Sequence, residues 1–175
     1  MKKLAAALFI IAMLAVTVYA VNAYSPASAE NDYLRIHVRA NSNLQCDQNV
    51  KYKVKDEVVK FITPYIGECV DKQTAMNVVN SLIPQICEVC DRTLSANGYD
   101  YRSRAEVRSE NFPTRVYGEH TLEQGVYDAL IIELGSGSGD NWWCVIYPPL
   151  CFTSATTDVE YRSVIADIIS KFFNK

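Results

Sequence analysis

Between residues 99 and 147 the apolar pattern has a period of two, and no helical stretch interrupts it. This constrains the fold more than any other feature. Residues 99–109 alternate, with Tyr99, Tyr101, Ser103, Ala105 and Val107 on one side and Arg102, Arg104, Glu106 and Arg108 on the other. Val126 to Leu134 forms a second strand, whose Leu130-Ile131-Ile132 run predicts burial on both faces. Trp142 to Tyr147 forms a third. Parallel neighbours need long crossovers, so neighbours among these strands are expected to run antiparallel. The last two read as a hairpin joined by a flexible glycine-rich loop, Gly135 to Asp140.

Upstream, residues 33–39 alternate as a half-buried strand, with Leu34, Ile36 and Val38 inward and Arg35, His37 and Arg39 outward. Two helices follow. Val50, Val54, Val58, Phe61, Ile62 and Tyr65 form one apolar face over 47–66, with Lys51 and Lys55 away from its centre and Gly67 as a stop. Asp71 is placed to cap the second helix, Pro84 to kink or split it, and Asn97-Gly98 to end it. Arg115 to Tyr117 is a short extended piece after a Phe112-Pro113 corner, and Asp158 caps a last helix through Phe172. The fold class is α+β: a mostly antiparallel sheet with helices packed on one face.

The N-terminus sets the expected compartment. Lys2 and Lys3 precede 18 uncharged, mostly apolar residues, Leu4 to Val21, and Ala27-Ser28-Ala29 fits a signal-peptidase site. Residues 1–29 read as a signal peptide, with an uncleaved anchor as the alternative. Residues 30–175 then form a single domain outside the cytoplasm. Removing Lys2 and Lys3 leaves 15 basic against 20 acidic residues, a net charge of −5. That balance gives no drive toward nucleic acid. With 49% hydrophobic and 21% charged residues, the chain can bury a core of its own. Its six cysteines therefore need not supply the fold.

No reading of a catalytic or metal centre stands up. Gly135 to Asp140 is followed by a strand, not by the helix a phosphate loop requires, and no Lys is near. Cys87-x-x-Cys90 sits mid-helix, and no second such pair completes a zinc set. His37 and His120 read as surface residues without a nucleophile motif. No catalytic residue, metal or cofactor is assigned. Arg35, Arg39, Arg102, Arg104 and Arg108 would make a cationic stripe if their faces coincide. It is either a docking surface for an acidic partner or anionic membrane, or an ordinary solvated face.

The most unusual stretch is NWWCVIYPPLCF at 141–152. Pro148-Pro149 ends the strand, and adjacent Trp142 and Trp143 point to opposite faces. Cys144 and Cys151 are close enough in sequence for a disulfide across the bend, worth about 2–3 kcal/mol if unstrained. The alternative is a buried strand and loop. The pairing of Cys46, Cys69, Cys87 and Cys90 stays open.

LRIHVRANS at 34–42, with Asp47-Gln48, Lys51 and Val54-Lys55-Asp56, resembles the N-terminal signature of the stage II sporulation protein R family. Phe112-Pro113-Thr114-Arg115, Tyr117-Gly118, Gly125-x-Tyr127 and NWWCVIYPPLCF carry the resemblance across residues 33–152. It implies a protein secreted from the forespore into the intermembrane space, peripheral to the membrane at most. There it would activate a membrane-embedded aspartic-type peptidase that processes the pro-form of mother-cell sigma-E. The expected contacts are Asn41, Arg115, Trp142, Trp143, Pro148 and Pro149. The competing classes are an extracytoplasmic cell-wall or thiol enzyme and a purely structural envelope protein.

Overall fold

The computed structural model describes residues 32–118 and 120–150. The expected signal peptide, Cys151 and the expected helix from Asp158 lie outside the described residues. The elements are β1 (Leu34–Arg39), α1 (Gln45–Gly67), α2 (Lys72–Ser81), α3 (Ile83–Ala96), β2 (Ser103–Phe112), β3 (Arg115–Tyr117), β4 (His120–Leu122), β5 (Gly125–Leu134) and β6 (Asn141–Tyr147). The fold is α+β, with a mixed, mostly antiparallel four-stranded sheet.

The helix signals act where the sequence places them. The Asp71 side chain accepts the Thr74 N–H at 2.7 Å and starts α2. The chain breaks at Leu82, and Pro84 falls in the first turn of α3, where a missing N–H costs nothing. Val50, Val54, Val58 and Ile62 of α1 pack with Ala75, Val79, Ile86, Cys90 and Leu94 on one face of the sheet. From the sheet they meet Leu34, Ile36, Val38, Leu130, Ile132 and Ile146. Lys51 departs from expectation: it is 1% exposed. Its Nζ donates to Gln48 Oε1 at 2.6 Å and to the Asp140 carbonyl at 3.0 Å. Burial pushes its ammonium below the ordinary lysine range, and Asp140 partly opposes that.

Strand order corrects the hairpin expectation. The sheet runs β2-β5-β1-β6. β5 pairs antiparallel with β2, as expected, but β1 lies between β5 and β6, parallel to one and antiparallel to the other. Local pattern shows that β5 and β6 are antiparallel strands joined by a short connection; it does not show whether a third strand fits between them. The loop 135–140 therefore crosses the end of β1, spanning two strand spacings, roughly 9–10 Å. Nor is it flexible. Gly139 N–H donates to the Ala40 carbonyl at 2.9 Å, and Asp140 N–H donates to Asn43 Oδ1 at 2.6 Å. A Cβ on Gly139 would lie 2.9 Å from Ser42 Cα and closer still to its carbonyl group.

The second face of the sheet corrects the half-buried reading of β1. Arg35 is 0% exposed and His37 4%. Phe112, Tyr127, Ala129, Ile131, Val145 and Leu150 form a second apolar cluster there. Leu122, from the separate β3–β4 hairpin, packs into it. The β4 strand is too short, at three residues, to show a period in sequence.

Candidate functional site

Two clusters bring together the residues singled out by the sequence. The first is a polar knot where β1 ends. Asn41 Nδ2 donates to Asp47 Oδ2 at 2.9 Å, and its Oδ1 accepts the Ser136 N–H at 3.0 Å. Its carbonyl accepts from the hydroxyls of Ser136 at 2.6 Å and Ser138 at 2.8 Å. Asp47, in the first turn of α1, also accepts from Ser42 Oγ at 2.6 Å and Tyr101 Oη at 2.9 Å. Burial pushes the Asp47 carboxyl up, but these three donors outweigh it and hold the group below the usual carboxylate range. Burial and the Asp47 carboxylate push the Tyr101 phenol well up. Asn41 thus ties the glycine-rich loop to α1.

The second cluster lies on the sheet face away from the helices. In the β1–β6 register His37 sits opposite Trp143, and the two rings stack with centroids 5.4 Å apart. The Arg115 guanidinium caps the indole of Trp143 at 4.4 Å, a cation–π contact. Both residues are partly exposed, and their neighbour on the hairpin, Val116, is 66% exposed. His37 Nδ1 bonds Glu110 Oε2 at 2.8 Å; Arg39 bonds Glu110 and, at 2.8 Å, Glu133. The cationic faces do coincide across β1, β5 and β2, yet no cationic stripe results. Glu106, Glu110 and Glu133 alternate with the arginines, and Arg108 bonds Glu106 at 2.5 Å.

The six expected contacts do not form one patch. Arg115 and Trp143 meet. Trp142 faces the helices, with Lys55 Nζ 5.3 Å from its ring centroid. Asn41 and Pro148 lie beyond opposite ends of β6, whose seven residues span roughly 20 Å. Pro149 is buried. His120 is half-buried on β4 rather than a surface residue. The sequence reading missed Asp47, Glu110 and Tyr117 as organising residues. The one available signal was the placement of Glu110 in phase with Arg104, Glu106 and Arg108.

Chemically, the titratable groups are engaged in packing. Cys46, Cys69, Cys87 and Cys90 are free thiols. Burial pushes Cys87 up and Cys90 to about 12, the opposite of what a redox pair needs. Among the described residues no group of three or more His, Cys, Asp or Glu side chains gathers where it could hold a metal. No described helix is long and apolar enough to cross a membrane.

Fold and site define an α+β domain with a cation–aromatic rim in place of a recognisable catalytic cluster. The model of the stage II sporulation protein R family matches residues 30–157, a span that holds both clusters. The chain is 34% identical to the stage II sporulation protein R of Bacillus subtilis (strain 168) over 127 residues. That match covers 73% of this chain and 57% of the relative, so the chain spans little more than half of the relative's length. No solved structure matches. The chain belongs to the stage II sporulation protein R family, and its role is in sporulation.

Proposed function

We propose that the protein acts by binding rather than by catalysis. It activates the membrane-embedded aspartic-type peptidase that processes the pro-form of mother-cell sigma-E. It does so after secretion from the forespore into the intermembrane space, with residues 1–29 as its signal peptide. Family membership supports the sporulation role. The observation that carries the binding mode is Arg115 held over Trp143 at a partly exposed rim. Arginine and tryptophan are the residue types that dominate protein interfaces when presented this way. Activation requires that this rim bind the active arrangement of the peptidase better than the inactive one.

The rest of the diagnostic segment has a supporting role. We propose Cys144–Cys151 as its bridge. Cys144 is disulfide-bonded and the four other cysteines within residues 32–150 are free.

The test is reconstitution of the peptidase, its pro-sigma substrate and this protein, with processing followed by immunoblot. Arg115→Ala and Trp143→Ala should each weaken binding by about 2 kcal/mol, roughly 30-fold, and lower processing at limiting protein. Variants that are exported, give the unaltered circular dichroism spectrum and still support full processing at limiting protein would refute the rim.

A further inference from the structure

Arg35 lies on the central strand, and its guanidinium cannot shed its charge. It is 0% exposed. It makes one hydrogen bond, from Nη2 to the hydroxyl of Tyr117 at 2.8 Å, a neutral acceptor. Its Nε and Nη1 are buried without a partner. Phe112 and Tyr127 wall it in, with ring centroids 4.2 and 4.7 Å from the guanidinium carbon. Aromatic faces attract a cation, but they do not satisfy its N–H donors. A third orphaned atom, His37 Nε2, lies two residues along the same strand face.

No described carboxylate pairs with Arg35. The acids on this face are taken: Glu110 by Arg39 and His37, and Glu133 by Arg39. A buried charge left this way is costly, and the usual remedy is a paired, hydrogen-bonded counter-charge. The chain itself supplies candidates. Leu150, the last described residue before 151, sits 7% exposed in the cluster that holds Phe112 and Tyr127. The segment 151–175 that continues from this wall carries Asp158, Glu160 and Asp167.

We propose that Arg35 is the cationic half of a buried ion pair, and that its carboxylate comes from Asp158, Glu160 or Asp167 of the same chain. The pair closes the open face of the sheet by fastening the C-terminal segment to the central strand. The two free donors, Nε and Nη1, are available to a carboxylate in addition to the bond to Tyr117. This inference is independent of the receptor reading, because it concerns no partner.

The test uses the full chain with Asp158→Asn, Glu160→Gln and Asp167→Asn, each made alone and again with Arg35→Met. One of the three should lower the melting temperature by about 6–12 °C, the shift that losing one side of a buried pair produces in a domain of this size. The same substitution should shift the Arg35→Met protein by about 1 °C or less, because the coupling is gone. Equal shifts in both backgrounds for all three overturn the proposal. A second readout needs no Arg35 variant: the side-chain 15Nε resonance of Arg35 should move in that single carboxamide variant. If it stays fixed in all three, the proposal fails. Acetate that stabilises the unsubstituted chain would show a pocket filled from solution, which also overturns it. Acetate that restores only the one carboxamide variant supports it.

Discussion

Asp47 offers the sharpest test of how the site end of the sheet is held. Its two oxygens accept from Asn41, Ser42 and Tyr101, and it is 4% exposed. Hydrogen bonds to a charged group contribute about 1.5–3 kcal/mol each. Asp47→Ala removes three of them. Ser42 and Tyr101 are partly exposed and can turn to water, so the net cost should be about 3–5 kcal/mol rather than the full sum. Asp47→Asn should cost less, about 1–2 kcal/mol. Its remaining oxygen can still serve Asn41 and Ser42, while the Tyr101 hydroxyl turns to accept from the new amide. Urea unfolding followed by circular dichroism measures both differences. The pH dependence supplies a second check. The folded carboxyl lies below its unfolded value, so its stabilisation is fully present above the unfolded value of about 3.9. It is lost as the pH falls from there through the lower folded value. The gap between the native chain and Asp47→Asn should therefore be constant at neutral pH and narrow below about pH 4. A gap that does not narrow, or an Asp47→Ala chain no less stable than Asp47→Asn, would refute this account of the knot.

Two further outcomes follow from the described geometry. Gly139→Ala places a methyl group against the Ser42 backbone, which cannot move without breaking the bonds to Ala40 and Asp140; it should cost about 2–3 kcal/mol in the same unfolding assay. In thiol labelling of the native chain at pH 8, exposed Cys46 should react within minutes, while buried Cys90, its thiol pushed up to about 12, should react only on unfolding. Equal rates would show that the helix layer opens readily.

What the sequence made legible was local chemistry. Asp71 and Pro84 act on the helix that contains them, so their signals could be read directly. The three-apolar run 130–132 is buried on both faces as its composition requires. What it hid were decisions made at long range. Alternation placed Arg35 and His37 correctly on the face opposite Leu34, Ile36 and Val38. It carried no information on whether that face meets water, because its cover comes from Phe112, Tyr127 and Val145, far along the chain. Lys51 misled for the same reason: its burial is set by the Asp140 carbonyl in the crossing loop. Of the site, Arg115 and Trp143 were legible as types, but their meeting was not. The spread of the other four candidates followed from treating one conserved-looking string of residues as one surface, although a strand presents its side chains to two faces.

The position of β1 explains why the rim cannot be a local feature. β1 enters the sheet between β5 and β6, and its residues pair with partners about 95 to 115 positions later in the chain. Only after that insertion does His37 lie under Trp143, and only then does Arg35 reach the Tyr117 hydroxyl that steadies the hairpin carrying Arg115. A two-stranded hairpin of three-residue strands has little stability of its own. Its orientation therefore depends on the completed sheet, through Arg35 to Tyr117 and through Leu122 in the second cluster. Closing contacts of such long sequence separation comes at a high loop-entropy cost and is expected late in folding. The arginine–tryptophan rim is thus presented by the finished fold and by no fragment of it, a physical basis for a surface that acts only once the whole domain has assembled.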